Sequence, residues 1–431
     1  CQQSTAERKT YMQSMANKFQ AIIETPNMII PLSDGCCLAA RVWMPVSAED
    51  LPVPAILEYI PYRKRDGTLP RDETMHPYMA ARGYACVRVD MRGNGDSDGL
   101  MVDEYTAQEL ADAGEVIAWL AAQPWCSGSV GMMGKSWGGF NSLQTAALRP
   151  PALKAVVTVC STTDRFEDDI HFKGGCLLGE NVGWGAVMLS YSSRPPDPNL
   201  RSDWRELWLK RLEADQFLAT VWASHQARDD YWKHGSVCED WSAIEVPVLS
   251  VGGWADNYMN TVSHLVMNLK SPVQGIVGPW IHQYPHMAVP GPQAGFLQIA
   301  LRWWDRWLKG DLNGAETDPA YRAYVLHSAP PNPSGAHRAG HWVAETVWPS
   351  TRVTQKTLAL SPSRILGGAG GTLDIKVATP QTLGLAAGEF FPMGLNAEMA
   401  GDQAGEDALA ASFDAPPLAE PMQMIGSARL S

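Results

Sequence analysis

The chain has 431 residues, 45% of them hydrophobic and 19% charged, which allows two or three domains and at least one sizeable core. A formal charge of −12 excludes nucleic acid as a main partner, and no apolar run approaches the ~18 residues of a membrane span. Eight cysteines contain no C-x-x-C pair and no metal-ligand spacing; several, Cys86 and Cys160 among them, lie in apolar runs and read as buried thiols of a reducing, cytoplasmic compartment.

Residues 1–26 read as an N-terminal extension. Cys1 suggests a lipid-modified or secreted form as the alternative; Met15-Ala16-Asn17-Lys18 reads as a translation start. From 27 to 46 the pattern alternates as two antiparallel strands around Ser33-Asp34-Gly35. Pro54–Ile60 suits a buried strand that empties into the polar loop 61–67, and a helix is predicted over 73–82. Tyr84–Asp90 is the next strand, and 106–122 is a helix with Leu110, Ala113, Ile117 and Leu120 at helical spacing. The loop between them carries Asn94-x-Asp96-x-Asp98-Gly99, half of a calcium loop, but its twelfth position is Tyr105 rather than glutamate. It reads as a tight turn, with no metal.

Residues 129–140 hold the most informative stretch. An apolar run ends in Gly134-Lys135-Ser136-Trp137-Gly138, and a helix-compatible segment follows. This G-x-S-x-G between strand and helix is the nucleophile elbow of α/β-hydrolases, in which small neighbours let the serine project from a sharp turn. Gly-Lys-Ser also fits the end of a phosphate loop, but that motif needs glycine at 129, where the residue is Ser129.

After a strand at 155–159 the strand signals stop. Residues 162–241 are helix-like and tryptophan-rich, as a cap inserted over the serine would be. The sheet resumes with strands at 247–254 and 274–280, a helix near 258–269 between them, and an amphipathic helix at 296–309. The predicted organisation is a hydrolase core over 27–161 and 242–312, the cap over 162–241, and a mainly β region over 313–431. Strand-like runs at Gln355–Leu360 and Leu373–Val377 mark that region, which stops in what reads as the start of a strand and is expected to be incomplete.

Serine acyl transfer needs a base and a carboxylate to orient it, in the order Ser, Asp/Glu, His for this elbow. Asp256 follows the strand at 247–254, and His282 follows the strand at 274–280. Asp240 is the alternative carboxylate; His264 and His286 are the alternative bases. Asp164-Arg165-Phe166-Glu167-Asp168-Asp169 places Glu167, Asp168 and Asp169 at the mouth of the cap, where they would hold a substrate amine or be salt-bridged to Arg165.

Gly-Lys-Ser-Trp-Gly-Gly, Gly253-Trp254-Ala255-Asp256, Gly278-Pro279-Trp280-Ile281-His282 and the 302–310 stretch together resemble the CocE/NonD serine hydrolases. That family includes cocaine esterase, α-amino-acid ester hydrolases and X-Pro dipeptidyl-peptidases. The resemblance implies an α/β-hydrolase fold with an inserted helical cap and a C-terminal β jelly roll. It also implies an oxyanion hole made by the Tyr62 hydroxyl of Pro61-Tyr62 and the Trp137 amide. The expected activity is cleavage of a small ester or amide, or of a short peptide, with no cofactor. X-Pro dipeptidyl-peptidase or other aminopeptidase activity is one alternative, a non-catalytic binding protein on the same fold another. The oligomeric state stays open, a homo-oligomer included.

Overall fold

Ten strands form one mixed sheet in the computed structural model, which describes residues 19–394 and 397–430. They are β1 (Ile22–Pro31), β2 (Cys37–Pro45), β3 (Val53–Ile60), β4 (Ala85–Asp90), β5 (Cys126–Lys135), β6 (Leu153–Val159), β7 (Val248–Gly253), β8 (Val273–Gly278), β9 (Tyr321–Leu326) and β10 (Gly340–Glu345). Their order across the sheet is β1-β2-β4-β3-β5-β6-β7-β8-β9-β10. From β4 to β9 every neighbouring pair is parallel, and antiparallel partners flank this block on both sides. The expectations for Cys1 and for a start at Met15 lie outside the described residues. Among the described residues no helix is long and apolar enough to cross a membrane.

The central strands are apolar on both faces because both faces are covered. Along β3 and β5, Leu57 and Met132 join one core while Ile56 and Met133 join the other. The first core takes the apolar stripes of α2 (Ala107–Ala121) and α3 (Trp137–Ala147). The second takes α1 (Leu69–Ala80), together with Phe296, Ala300, Trp303, Trp304 and Leu308 of a further helix, Phe296–Leu308. Those five recur at helical spacing and form one stripe. Helix α1 starts four residues before the expected 73, because Pro70 fits a first turn, where an N–H has no helical partner.

Between β6 and β7 the chain leaves the sheet. It forms α4 (Glu180–Ser192), α5 (Trp204–Ala214), two single-turn helices and a two-residue hairpin. Trp184 and Tyr191 of α4 pack on Tyr62, with ring centroids 6.2 and 5.4 Å away. The calcium-like loop is tied down by side chains from elsewhere in the chain: the Lys64 ammonium pairs with Asp90 and Asp96, and Arg201 pairs with Asp98.

Two expectations for the C-terminal part need correction. The sheet does not stop at 312, since β9 and β10 extend it to Glu345. Gln355–Leu360 and Leu373–Val377 are not strands; among described residues after 345 there are isolated bridges, such as Leu360 with Leu366, and two short 3-10 turns. Leu358 and Val377 are exposed there, so an apolar run without a partner strand has no face to bury.

Candidate active site

Parallel strands bring their carboxyl ends to one rim, and four of them deliver the candidate residues. Tyr62 follows β3, Ser136 follows β5, Asp256 follows β7 and His282 follows β8. Ser136 sits at a positive φ that side-chain-bearing residues rarely adopt (φ 59°, ψ −122°), between β5 and α3. Such a backbone costs a non-glycine residue about 1–3 kcal/mol. Its N–H donates to the Val159 carbonyl at 2.9 Å, and its own carbonyl accepts from Gly139 N–H at 2.7 Å. A β-carbon on Gly134 would lie 2.5 Å from Gly138 Cα, and one on Gly139 2.8 Å from Thr158 Oγ1, so the turn closes only with glycine at both. The Trp137 amide is the first of α3, where no helical carbonyl is available to it.

His282 and Asp256 are buried, with Nδ1 2.8 Å from Asp256 Oδ1. The carboxylate accepts a hydrogen bond from Nδ1–H, which leaves Nε2 as the basic nitrogen. Burial pulls the imidazole below its ordinary pKa; the charge of Asp256 opposes this and that of Lys135 adds to it. The imidazole is therefore neutral near pH 7, as a base must be. The rings of Phe391 and Tyr258 pack on it at centroid distances of 4.3 and 5.7 Å. The His282 N–H donates to the Pro392 carbonyl at 3.3 Å, so the segment around 391 reaches the site. Cys160 Sγ lies within 4.8 Å of the Asp256 and His282 donor atoms, as a thiol whose pKa burial raises well above its usual value. The alternatives lie elsewhere: Asp240 is exposed and caps a 3-10 turn, His264 is within a helix, and His286 stacks on Phe296.

Burial holds the Tyr62 phenol far above its ordinary pKa, with the hydroxyl of Ser136 among the partners that partly offset this. It keeps its proton and is a hydrogen-bond donor at every working pH. Its ring meets Trp137 edge-on at 6.3 Å. The Trp137 indole N–H donates to Glu109 Oε1 at 2.7 Å, and Glu109 Oε2 accepts the Tyr105 N–H at 2.7 Å. Sequence reasoning missed Glu109, although a carboxylate four residues before Ala113 on an apolar stripe was a visible signal.

Burial pushes the Glu109 carboxyl up to about 8, against hydrogen bonds from Trp137, Asn141 and Tyr105. Its folded value thus lies above its unfolded one, so the folded state binds the extra proton. This contribution is full below pH ~4.3 and lost as pH rises through about 8. Glu109→Gln, which imitates the protonated acid, is expected to remove a component on the order of 4 kcal/mol from the pH dependence of unfolding over that window. Denaturant titrations at pH 5 and 8.5 check this; equal slopes with pH in both proteins would refute it.

The acidic loop does not act as one group. Glu167 is exposed, and Asp168 is paired with Lys173 and accepts from Asn260 Nδ2 at 3.3 Å. Asp169 is buried: Oδ1 accepts the Ile170 N–H at 2.7 Å, while Oδ2 has no partner among the described residues. Burial lifts its carboxyl to about 6. Arg165, expected beside this loop as its counter-ion, instead donates to Glu104 at 2.9 Å, within a buried network that includes His171. Nothing in the sequence links residues 104, 165 and 171.

Several comparisons bear on this geometry. Cocaine esterase from a Rhodococcus species is 26% identical over 388 residues, 82% of this chain and 65% of that protein. A putative Xaa-Pro dipeptidyl-peptidase of Streptomyces avermitilis is 24% identical over 65% of this chain and 40% of its own length. The chain therefore spans less than two thirds of these relatives. A solved CocE/NonD family hydrolase from Staphylococcus aureus shares the fold, with a TM-score of 0.65 at 20% identity, covering 81% of this chain and 61% of that one. The sequence pattern of the X-Pro dipeptidyl-peptidase (S15) family matches residues 34–284, more than half of the chain, and the chain belongs to that family.

Proposed function

We propose that the protein is a serine hydrolase that cleaves ester or amide acyl bonds through Ser136, His282 and Asp256. The observation that carries this reading is the 2.8 Å bond from His282 Nδ1 to Asp256, on the same strand rim as a serine held in a strained elbow. His282 Nε2 takes the proton as Ser136 Oγ attacks the carbonyl. The Tyr62 hydroxyl and the Trp137 amide stabilise the oxyanion. The tetrahedral intermediate collapses with His282 protonating the leaving group. Water, deprotonated by the same histidine, then hydrolyses the acyl-enzyme and restores the serine. The substrate is a small ester or amide or a short peptide, processed in the cytoplasm. From the resemblance alone we assign the residues after Glu345, where the main sheet ends, to a jelly-roll-like unit.

A second reading, that the substrate carries a free amine as in an aminopeptidase, rests on Asp169. Its buried Oδ2, without a partner among the described residues, suits an ammonium, and its carbonyl accepts from Asn257, the neighbour of Asp256, at 3.2 Å. Comparing an aryl ester with an X-Pro anilide on the purified protein tests both. Ester hydrolysis by wild type supports the first reading, and hydrolysis of neither substrate contradicts it. Anilide cleavage that Asp169→Asn weakens at least about tenfold in kcat/KM supports the second, which ester turnover alone would remove.

A further inference from the structure

Lys135 is the last residue of β5 and directly precedes Ser136. Its Nζ donates to the main-chain carbonyl of His282 at 3.1 Å, a contact spanning 147 positions of sequence. The titratable groups whose charges couple to it include Cys160, Arg71, Asp256, Glu58 and the His282 imidazole, and none of them forms an ion pair with it within 4.0 Å among the described residues. A partly buried ammonium with one neutral acceptor is costly to keep. Burial and the Arg71 charge lower its pKa to about 8, against the pull of Cys160, Asp256 and Glu58.

The sheet order gives this contact its meaning. Ser136 is carried by β5 and His282 by the loop after β8, and β6 and β7 lie between them. Three steps of ~4.8 Å put those strands ~14 Å apart, beyond any ladder hydrogen bond. The loop after β8 must fold back across the rim to bring the imidazole towards the serine. Lys135 is the side chain that bonds the end of the nucleophile's strand to the base's own residue.

We propose that Lys135 is a positioning residue for the base: by holding the His282 carbonyl, its ammonium fixes the imidazole relative to the strand that ends in Ser136. This rests on the assignment of Ser136, Asp256 and His282 as the triad. Because a misplacement of about 1 Å costs on the order of 10²-fold, the loss falls on kcat rather than on KM. Besides burial, the charges acting on the His282 imidazole are Asp256, which raises its pKa, and Lys135, which lowers it. Removing the Lys135 charge therefore moves the acid limb of the pH profile to higher pH.

The test is Lys135→Met and Lys135→Arg in the full chain, assayed with an aryl ester from pH 5 to 9. Proton NMR of the His282 Nδ1–H resonance over the same range accompanies it. Lys135→Met is expected to lose about 10- to 100-fold in kcat with KM within about threefold, and to shift both the acid limb and the Nδ1–H titration upward. Lys135→Arg is expected to restore most of kcat and the wild-type limb. If Lys135→Met does not fold, Lys135→Gln is read by the same criteria. A neutral variant with kcat within about twofold of wild type and an unmoved limb overturns the proposal. So does a loss that arginine does not rescue and that leaves the limb in place, since that is a packing defect. Should wild type hydrolyse no ester, the triad reading fails, and the NMR titration alone decides whether Lys135 and His282 are coupled.

Discussion

Ser136→Ala is expected to lower kcat for an aryl ester by about 10⁴- to 10⁶-fold while leaving the thermal midpoint close to that of wild type. The serine holds its turn through backbone atoms, its N–H to Val159 and its carbonyl to Gly139 and Phe140, so alanine keeps those bonds and loses only the hydroxyl proposed as nucleophile. His282→Ala is expected to cost about as much, and the double variant little more than either, because the residues act as one unit. Asp256→Asn retains the shape but removes the charge that holds the Nδ1 proton in place, and should fall by about 10⁴-fold. Steady-state rates on the four proteins check this. Losses that multiply in the double variant, or a His282→Ala protein with full activity, would remove His282 from the relay.

Tyr62→Phe is the second large effect. The phenol stays protonated because burial holds its pKa far above the ordinary tyrosine value, so in the proposed mechanism its hydroxyl is a fixed donor to the developing oxyanion. Phenylalanine keeps the ring, and with it the packing against Trp137, Trp184 and Tyr191. The expected result is a fall of about 10²- to 10³-fold in kcat with KM little changed, since the interaction matures only in the transition state. A fall of less than about threefold would assign the oxyanion to backbone donors alone.

The parts of the fold that local pattern dictates were legible. The β1–β2 hairpin, the strand before the elbow, the glycines around Ser136 and the run of parallel strands all follow from alternation and turn chemistry. Ser136, Asp256 and His282 each stand just past the carboxyl end of a strand, in that order, and a parallel sheet brings such positions to one rim. The strands at 321–326 and 340–345 were not legible, because what makes them strands is a partner. β9 pairs with β8 through only Gly275–Tyr321, Ile276–Arg322 and Val277–Ala323, and β10 in turn pairs with β9.

Within the site, residue types were readable and pairings were not. The acidic run was visible as composition, but only the fold exposes Glu167, ties Asp168 to Lys173 and leaves Asp169 Oδ2 without a partner among the described residues. Phe391 meets His282 from 109 positions away, a separation on which no motif comments. Lys135 stood in the motif itself, yet its acceptor belongs to a loop three strands across the sheet.

The most direct measurement is covalent labelling with a fluorophosphonate, read by mass spectrometry of the digested protein. One adduct on the peptide carrying Ser136 is predicted for wild type, none for Ser136→Ala, and much slower labelling for His282→Ala. Equal labelling of wild type and Ser136→Ala, or an adduct on another serine, would contradict the assignment of Ser136 as the nucleophile.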